Sequence, residues 1–118
     1  AKISKLVVEL QLDGIIATNT TLSREGLKAS SAEVEHMGAG GLSGAPLAER
    51  SMEVLRIIRQ HVPASLCVIS VGGVTTAADV AARLDAGATL VQGYSAFIYS
   101  GPMWAARINS ELKKLLAK

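Results

Sequence analysis

Leu66-Cys67-Val68-Ile69-Ser70-Val71-Gly72-Gly73-Val74 is the stretch on which the fold turns. It is apolar at nearly every position and rich in β-branched residues, so it reads as a strand buried on both faces, the habit of strands in a parallel sheet. A glycine pair ends it and a helix signal follows at once. Thr75 or Thr76 can cap that helix, which is expected to run through Ala86 with Val80 and Leu84 facing inward. Lacking Cβ, Gly72 and Gly73 let a ligand approach the backbone and leave N–H groups free to meet an anion, most economically a phosphate. A plain tight turn is the competing reading of the same pair.

Working toward the carboxyl end, Gly87 suits the residue after the helix, and Thr89–Gln92 reads as a third short strand. Gly93-Tyr94-Ser95 opens another helix start. Gly101-Pro102 then breaks the chain before an amphipathic helix over Met103–Ala117, whose Lys113, Lys114 and Lys118 suit the negative end of its dipole. Met103 and Trp104 are expected to pack on the outer, helical side.

Working toward the amino end, Pro46 fits the first turn of a helix whose Leu47, Leu55, Ile58 and Val62 share a face until Pro63 stops it. Residues 22–44 have no period and finish Gly40-Gly41-Leu42-Ser43-Gly44; irregular loops of that length are usually functional or mobile. Ile15-Ile16-Ala17 is a short strand running into Thr18-Asn19-Thr20-Thr21, four hydrogen-bonding side chains at a strand's carboxyl end. Lys2–Gln11 reads as a covering helix, with Ile3, Leu6, Val7 and Leu10 inward and Lys5 and Glu9 toward water, closed by Asp13-Gly14.

Composition narrows the class. The 118 residues allow one domain at most, and 49% hydrophobic against 19% charged residues argues against disorder. One Phe, one Trp and two Tyr leave the core to aliphatic side chains, which suits α/β packing. The net charge of +2 is scattered, with no basic stripe or aromatic ladder, so nucleic acid is not an expected partner. A single cysteine, Cys67, excludes an internal disulfide framework, and with no histidine or acid at useful spacing it reads as a packed thiol rather than a nucleophile. His36 and His61 lack metal-ligand partners at the usual spacings and read as surface residues, so no metal is expected. No apolar run is long enough to span a bilayer.

The order α-β-loop-α-β-α-β-α implies right-handed crossovers and a parallel sheet. Three strands cannot close a barrel that needs eight, and they leave two apolar edges bare. The chain also starts in helical rhythm without an initiator Met. It is therefore expected to be part of a larger barrel, its edges covered by self-association or by the remaining portion.

Four segments carry a resemblance: Asp13-Gly-Ile-Ile-Ala-Thr-Asn-Thr-Thr21, Gly40-Gly-Leu-Ser-Gly-Ala-Pro-Leu47, Val68-Ile-Ser-Val-Gly-Gly-Val74 and Ala86-Gly-Ala-Thr-Leu-Val-Gln92. In order and spacing they resemble the carboxyl-terminal third of class 2 dihydroorotate dehydrogenases, from about Gln11 onward. The resemblance implies about three βα units of an FMN-binding (β/α)₈ TIM barrel, with residues 1–118 forming the carboxyl-terminal part of that single domain. It implies oxidation of (S)-dihydroorotate to orotate in pyrimidine synthesis, a quinone as electron acceptor, and a peripheral place on the cytoplasmic face of a bacterial inner membrane. By the same resemblance Thr18 contacts the flavin, and Asn19 and Thr20 hydrogen-bond the orotate ring and carboxylate. Gly44 and Gly73 hold the FMN side chain and phosphate through backbone amides, and Tyr94 and Ser95 make the last phosphate contact. Cys67 stands where the family usually has Pro, and Gly93 where a branched apolar residue is common. The family's catalytic serine, its supporting lysine and its membrane-docking helical piece have no counterpart in this sequence, so the chain alone is expected to be inactive.

Two other classes compete. One is another phosphate- or FMN-binding barrel enzyme, an isomerase or synthase that uses only the Gly73 and Ser95 grip. The other is a non-catalytic packing module. Locally, Thr18–Thr21 also reads as a strand end satisfying its own turn, Gly40–Gly44 as a flexible link and Tyr94-Ser95 as an ordinary helix cap.

Overall fold

Val68 and Ser70 are fully buried, while Cys67, Ile69 and Val71, alternating with them, are half-buried. These five residues form the central strand of a three-stranded parallel sheet in a computed structural model that describes residues 2–117. Strand β1 is Gly14–Ala17, β2 is Cys67–Val71 and β3 is Leu90–Gln92, hydrogen-bonded in the order β1-β2-β3. Gly14 pairs with Cys67 and Ile69 with Leu90. The helices are α1 (Lys2–Glu9), α2 (Ser31–His36), α3 (Ala48–Arg59), α4 (Ala77–Asp85), α5 (Ser95–Ser100) and α6 (Trp104–Leu116). A 3-10 turn, Ala45–Leu47, carries Pro46 in its first turn and leads into α3.

Helix α4 begins where the sequence signal puts it. The Thr76 hydroxyl accepts from the Asp79 N–H at 3.2 Å and the Asp79 carboxylate accepts from the Thr76 N–H at 2.8 Å, a reciprocal cap. It ends at Asp85, and Gly87 follows with φ +99°, a conformation favouring glycine. On one face of the sheet, Leu55, Ile58 and Val62 from α3 and its exit pack against Val68 and Ala88. Val74, Ala77 and Val80 pack against Ile108 of α6, with Leu84, Trp104 and Leu112 around them. His36 and His61 are at the surface, as expected.

Several elements differ from the sequence expectation. β2 is buried on one face only, because the face bearing Ile69 has no second layer among the described residues. Helix α1 ends at Glu9, where Gln11 turns left-handed at φ +51°, ahead of Asp13-Gly14. Its Val7 is buried together with Ser4, but Ile3, Leu6 and Leu10 are exposed, since no described element lies against them. Helix α3 ends at Arg59, ahead of Pro63. Residues 22–44 are not wholly irregular: Ser30 and Glu33 cap α2 reciprocally, and Thr21 and Leu42 form an antiparallel bridge at 2.8 and 3.0 Å. Met103 is exposed and precedes α6, whereas Trp104 packs. Cys67 is half-buried, so it is not a fully packed thiol. Lys118 lies outside the described residues.

The molecule is a slab of 46 × 37 × 21 Å with a radius of gyration of 15.7 Å. A rounded domain of this length has a radius of gyration of about 13.5 Å. Its accessible surface is 8119 Å², whereas a folded monomer of this mass exposes about 6,100 Å². Exposed large apolar side chains accompany the excess on the edge strands, at Ile16 and Leu90, and on helices α1, α5 and α6.

Candidate functional site

At the carboxyl ends of the strands, the turns after β1, β2 and β3 and the Ser43–Leu47 segment enclose an open cleft of about 460 Å³. Ligands of open parallel α/β sheets bind at this end because the loops there converge. Thr18, Asn19, Thr20, Gly44, Gly73, Tyr94 and Ser95, the seven residues singled out from the sequence, all line it. No lining side chain carries a charge.

Each turn has a local cause. After β1, the Thr18 N–H extends the ladder to the Val71 carbonyl at 2.9 Å, and its hydroxyl lies 3.4 Å from the same oxygen. Asn19 Oδ1 accepts from the Thr20 N–H at 2.8 Å, so the amide oxygen satisfies its own turn while the NH₂ group remains available. After β2, Gly73 has φ +70°, and a Cβ there would come within 2.5 Å of the Ala48 backbone nitrogen and Cα. The close approach of α3, and not only a ligand, requires glycine at this position. Gly44, at φ +84°, lies beside Ser95, and Ser43 Oγ and Ser95 Oγ are 2.9 Å apart, which ties the loop before α3 to the start of α5.

Among the described residues, the amide N–H groups of Gly44, Gly73, Tyr94 and Ser95 donate to no backbone or side-chain acceptor. The N–H groups of Asn19, Ser43, Ala45, Val74, Gly93 and Ala96, which also line the cleft, have no such acceptor either, so an uncharged rim rich in unpaired backbone donors is available to an anion with several acceptor oxygens. The cleft also has no carboxylate to repel one.

Beneath the β2 turn lies a cluster the sequence reading missed. Arg83 of α4 is only 3% exposed; it donates to Ser70 Oγ at 2.6 Å, to Ser51 Oγ at 2.8 Å and to the Gly72 carbonyl at 2.6 Å. Ser51 is the polar member of the 47-51-55-58-62 buried stripe, and Arg83 stands among the inward positions of α4, so both were visible as polar residues at core spacing. Gly93, where the resemblance leads one to expect a branched apolar residue, has a steric cause in this fold. A Cβ there would lie 2.2 Å from the Trp104 ring, which fills the space and donates its indole N–H to the Thr75 carbonyl at 3.0 Å.

Fold and cleft together define a parallel βα-repeat protein with an open, amide-lined cleft at its strand ends. The family model described as Dihydroorotate dehydrogenase matches residues 1–116, and the chain belongs to that family. Over 116 residues it is 65% identical to a protein named dihydroorotate dehydrogenase (quinone) from Leifsonia xyli subsp. xyli, covering 98% of this chain and 34% of the relative. A protein of the same name from Clavibacter michiganensis is 63% identical over 97% of this chain and 33% of its own length. The crystal structure of the Eimeria tenella enzyme in complex with ferulenol superposes with a TM-score of 0.87 at 37% identity, covering 98% of this chain and 30% of that one. The chain thus spans about a third of the length of the relatives it matches, and its three parallel strands are a partial TIM barrel.

Proposed function

We propose that residues 1–118 form the carboxyl-terminal part of a single FMN-binding barrel domain, in an enzyme that oxidises (S)-dihydroorotate to orotate and delivers the electrons to a quinone. This step belongs to de novo pyrimidine (UMP) synthesis. The observation that carries the reading is an uncharged cleft rich in unpaired backbone amides, those of Gly44, Gly73, Tyr94 and Ser95 among them, in a chain of this family.

The residues present suit the cofactor. The N–H groups of Gly44, Gly73, Tyr94 and Ser95 are donors for a phosphate dianion and its linker, and Thr18 offers hydroxyl lone pairs toward a flavin ring. When bound, FMN supplies the two-electron acceptor for the hydride leaving the substrate. Asn19 and Thr20 bind and orient the substrate: the free NH₂ of Asn19 donates to a ring carbonyl, and the Thr20 hydroxyl to the carboxylate. The group that removes the C5 proton lies outside these 118 residues, so the chain by itself is proposed to be inactive. The membrane contact that gives access to quinone is likewise assigned to a segment outside them, at the cytoplasmic face of the inner membrane; no helix among the described residues is long and apolar enough to cross a membrane.

The test is to purify the intact protein carrying this chain, identify the released flavin by chromatography, and follow dihydroorotate-dependent reduction of a soluble quinone. Stoichiometric FMN and turnover are expected. A flavin-free preparation that is protected from unfolding by sugar phosphates but not by orotate would overturn the proposal in favour of another phosphate-binding barrel.

A further inference from the structure

The Gly72–Gly73 turn rests on a buried cation that has no anionic partner in contact. The two ion pairs among the described residues are Lys5–Glu9 and Arg50–Glu53, both exposed, so Arg83 meets only neutral oxygens. The nearby carboxylate that favours its charged form, Asp79, is spent on the N–H groups of Thr75 and Thr76. A desolvated guanidinium with hydroxyl and carbonyl partners alone is costly to keep unless something else benefits from the charge.

The geometry indicates the beneficiary. The Gly72 carbonyl accepts from Arg83 Nη2 at 2.6 Å and from the Ser51 hydroxyl at 2.7 Å, so two donors pin it toward the core. The Gly72–Gly73 peptide is trans, and in a trans peptide the carbonyl and the N–H of one plane point in opposite directions. A carbonyl drawn down to Arg83 therefore turns the Gly73 N–H away from the core, on the side where both glycines line the cleft. That N–H is one of the unpaired donors among the cleft-lining residues, and the cleft itself contributes no charge.

We propose that Arg83 is a positioning residue for the bound anion. It fixes the Gly73 amide through the Gly72 carbonyl and places a formal positive charge behind an otherwise uncharged cleft, so that the site selects a phosphorylated flavin over its dephosphorylated form. The inference rests on the FMN reading above.

The experiment titrates the deflavinated intact protein with FMN and with riboflavin, in wild type, Arg83→Met and Arg83→Lys. The wild type is expected to prefer FMN. Arg83→Met should weaken FMN about tenfold or more, since a charge-assisted contact is lost, with riboflavin changed less than about twofold; Arg83→Lys should retain part of the preference. Equal weakening of both ligands by Arg83→Met means a merely structural role and overturns the inference while leaving the FMN reading intact, as does an undiminished preference. A wild type with no preference for FMN overturns both. If Arg83→Met does not fold, Ser51→Ala removes one donor to the Gly72 carbonyl, and FMN should weaken about threefold with riboflavin unchanged; a parallel loss then decides against the proposal.

Discussion

At Gly73 two demands coincide, and they can be separated by substitution. Its φ of +70° and the 2.5 Å approach of a built Cβ to Ala48 make any side chain strained before a ligand is considered. Gly73→Ala should cost about 1–3 kcal/mol of stability for a non-glycine residue held left-handed, more if α3 must shift, read as a fall in the thermal midpoint without ligand. Gly73→Val should in addition lose FMN, and full flavin content in a folded Gly73→Val protein would show that this turn does not hold the cofactor. Asp79 supplies a pH test. Burial acts to raise its pKa, but the Thr76 and Thr75 N–H groups, the Thr76 hydroxyl and Arg83 outweigh this and hold the carboxyl below its usual value. A group with a depressed folded pKa stabilises fully above its unfolded value of about 4 and loses that contribution as pH falls through the folded one. The difference in melting temperature between wild type and Asp79→Asn should therefore be largest near neutrality and shrink below about pH 4; a difference constant with pH would contradict the cap.

Among the elements, α4 and the start of α6 act together through Gly93, Trp104 and Thr75. Gly93→Val should destabilise the fold by about 2 kcal/mol or more through overpacking against the indole, and Trp104→Leu should relieve part of that cost in the double variant. Additive losses in denaturant melts would mean the two do not share the space. The strands, the α3 stripe, the Thr76 cap and the turns after β1, β2 and β3 were legible in the sequence, because periodicity and capping are local. The unpaired face of α1 was not, since a helical stripe announces an apolar face without saying that anything covers it. The buried trio Ser51, Ser70 and Arg83 was missed for a different reason: each is a single polar residue in an apolar pattern, and only the crossover brings the three together. Gly93 looked like a departure because its compensation, Trp104, lies well down the chain.

For the whole molecule, the slab shape decides behaviour. Its surface exceeds that of a rounded monomer of its mass by about 2,000 Å², and Ile16, Leu90, Ile98 and Tyr99 are among the exposed apolar side chains. Bare parallel edges of this kind pair with whatever presents a complementary strand. The isolated chain should therefore associate in concentration-dependent fashion by light scattering; a strictly monomeric chain at high concentration would show that the edges are self-sufficient. The loop before α3 behaves differently. Thr21 and Leu42 are bonded to each other at its neck, and Arg24 reaches across to the Gly40 carbonyl. Residues 22–41 thus hang from a closed clasp whose two ends continue directly into the Asn19–Thr20 and Ser43–Gly44 walls of the cleft, so a change in the length of that handle is absorbed beyond the clasp.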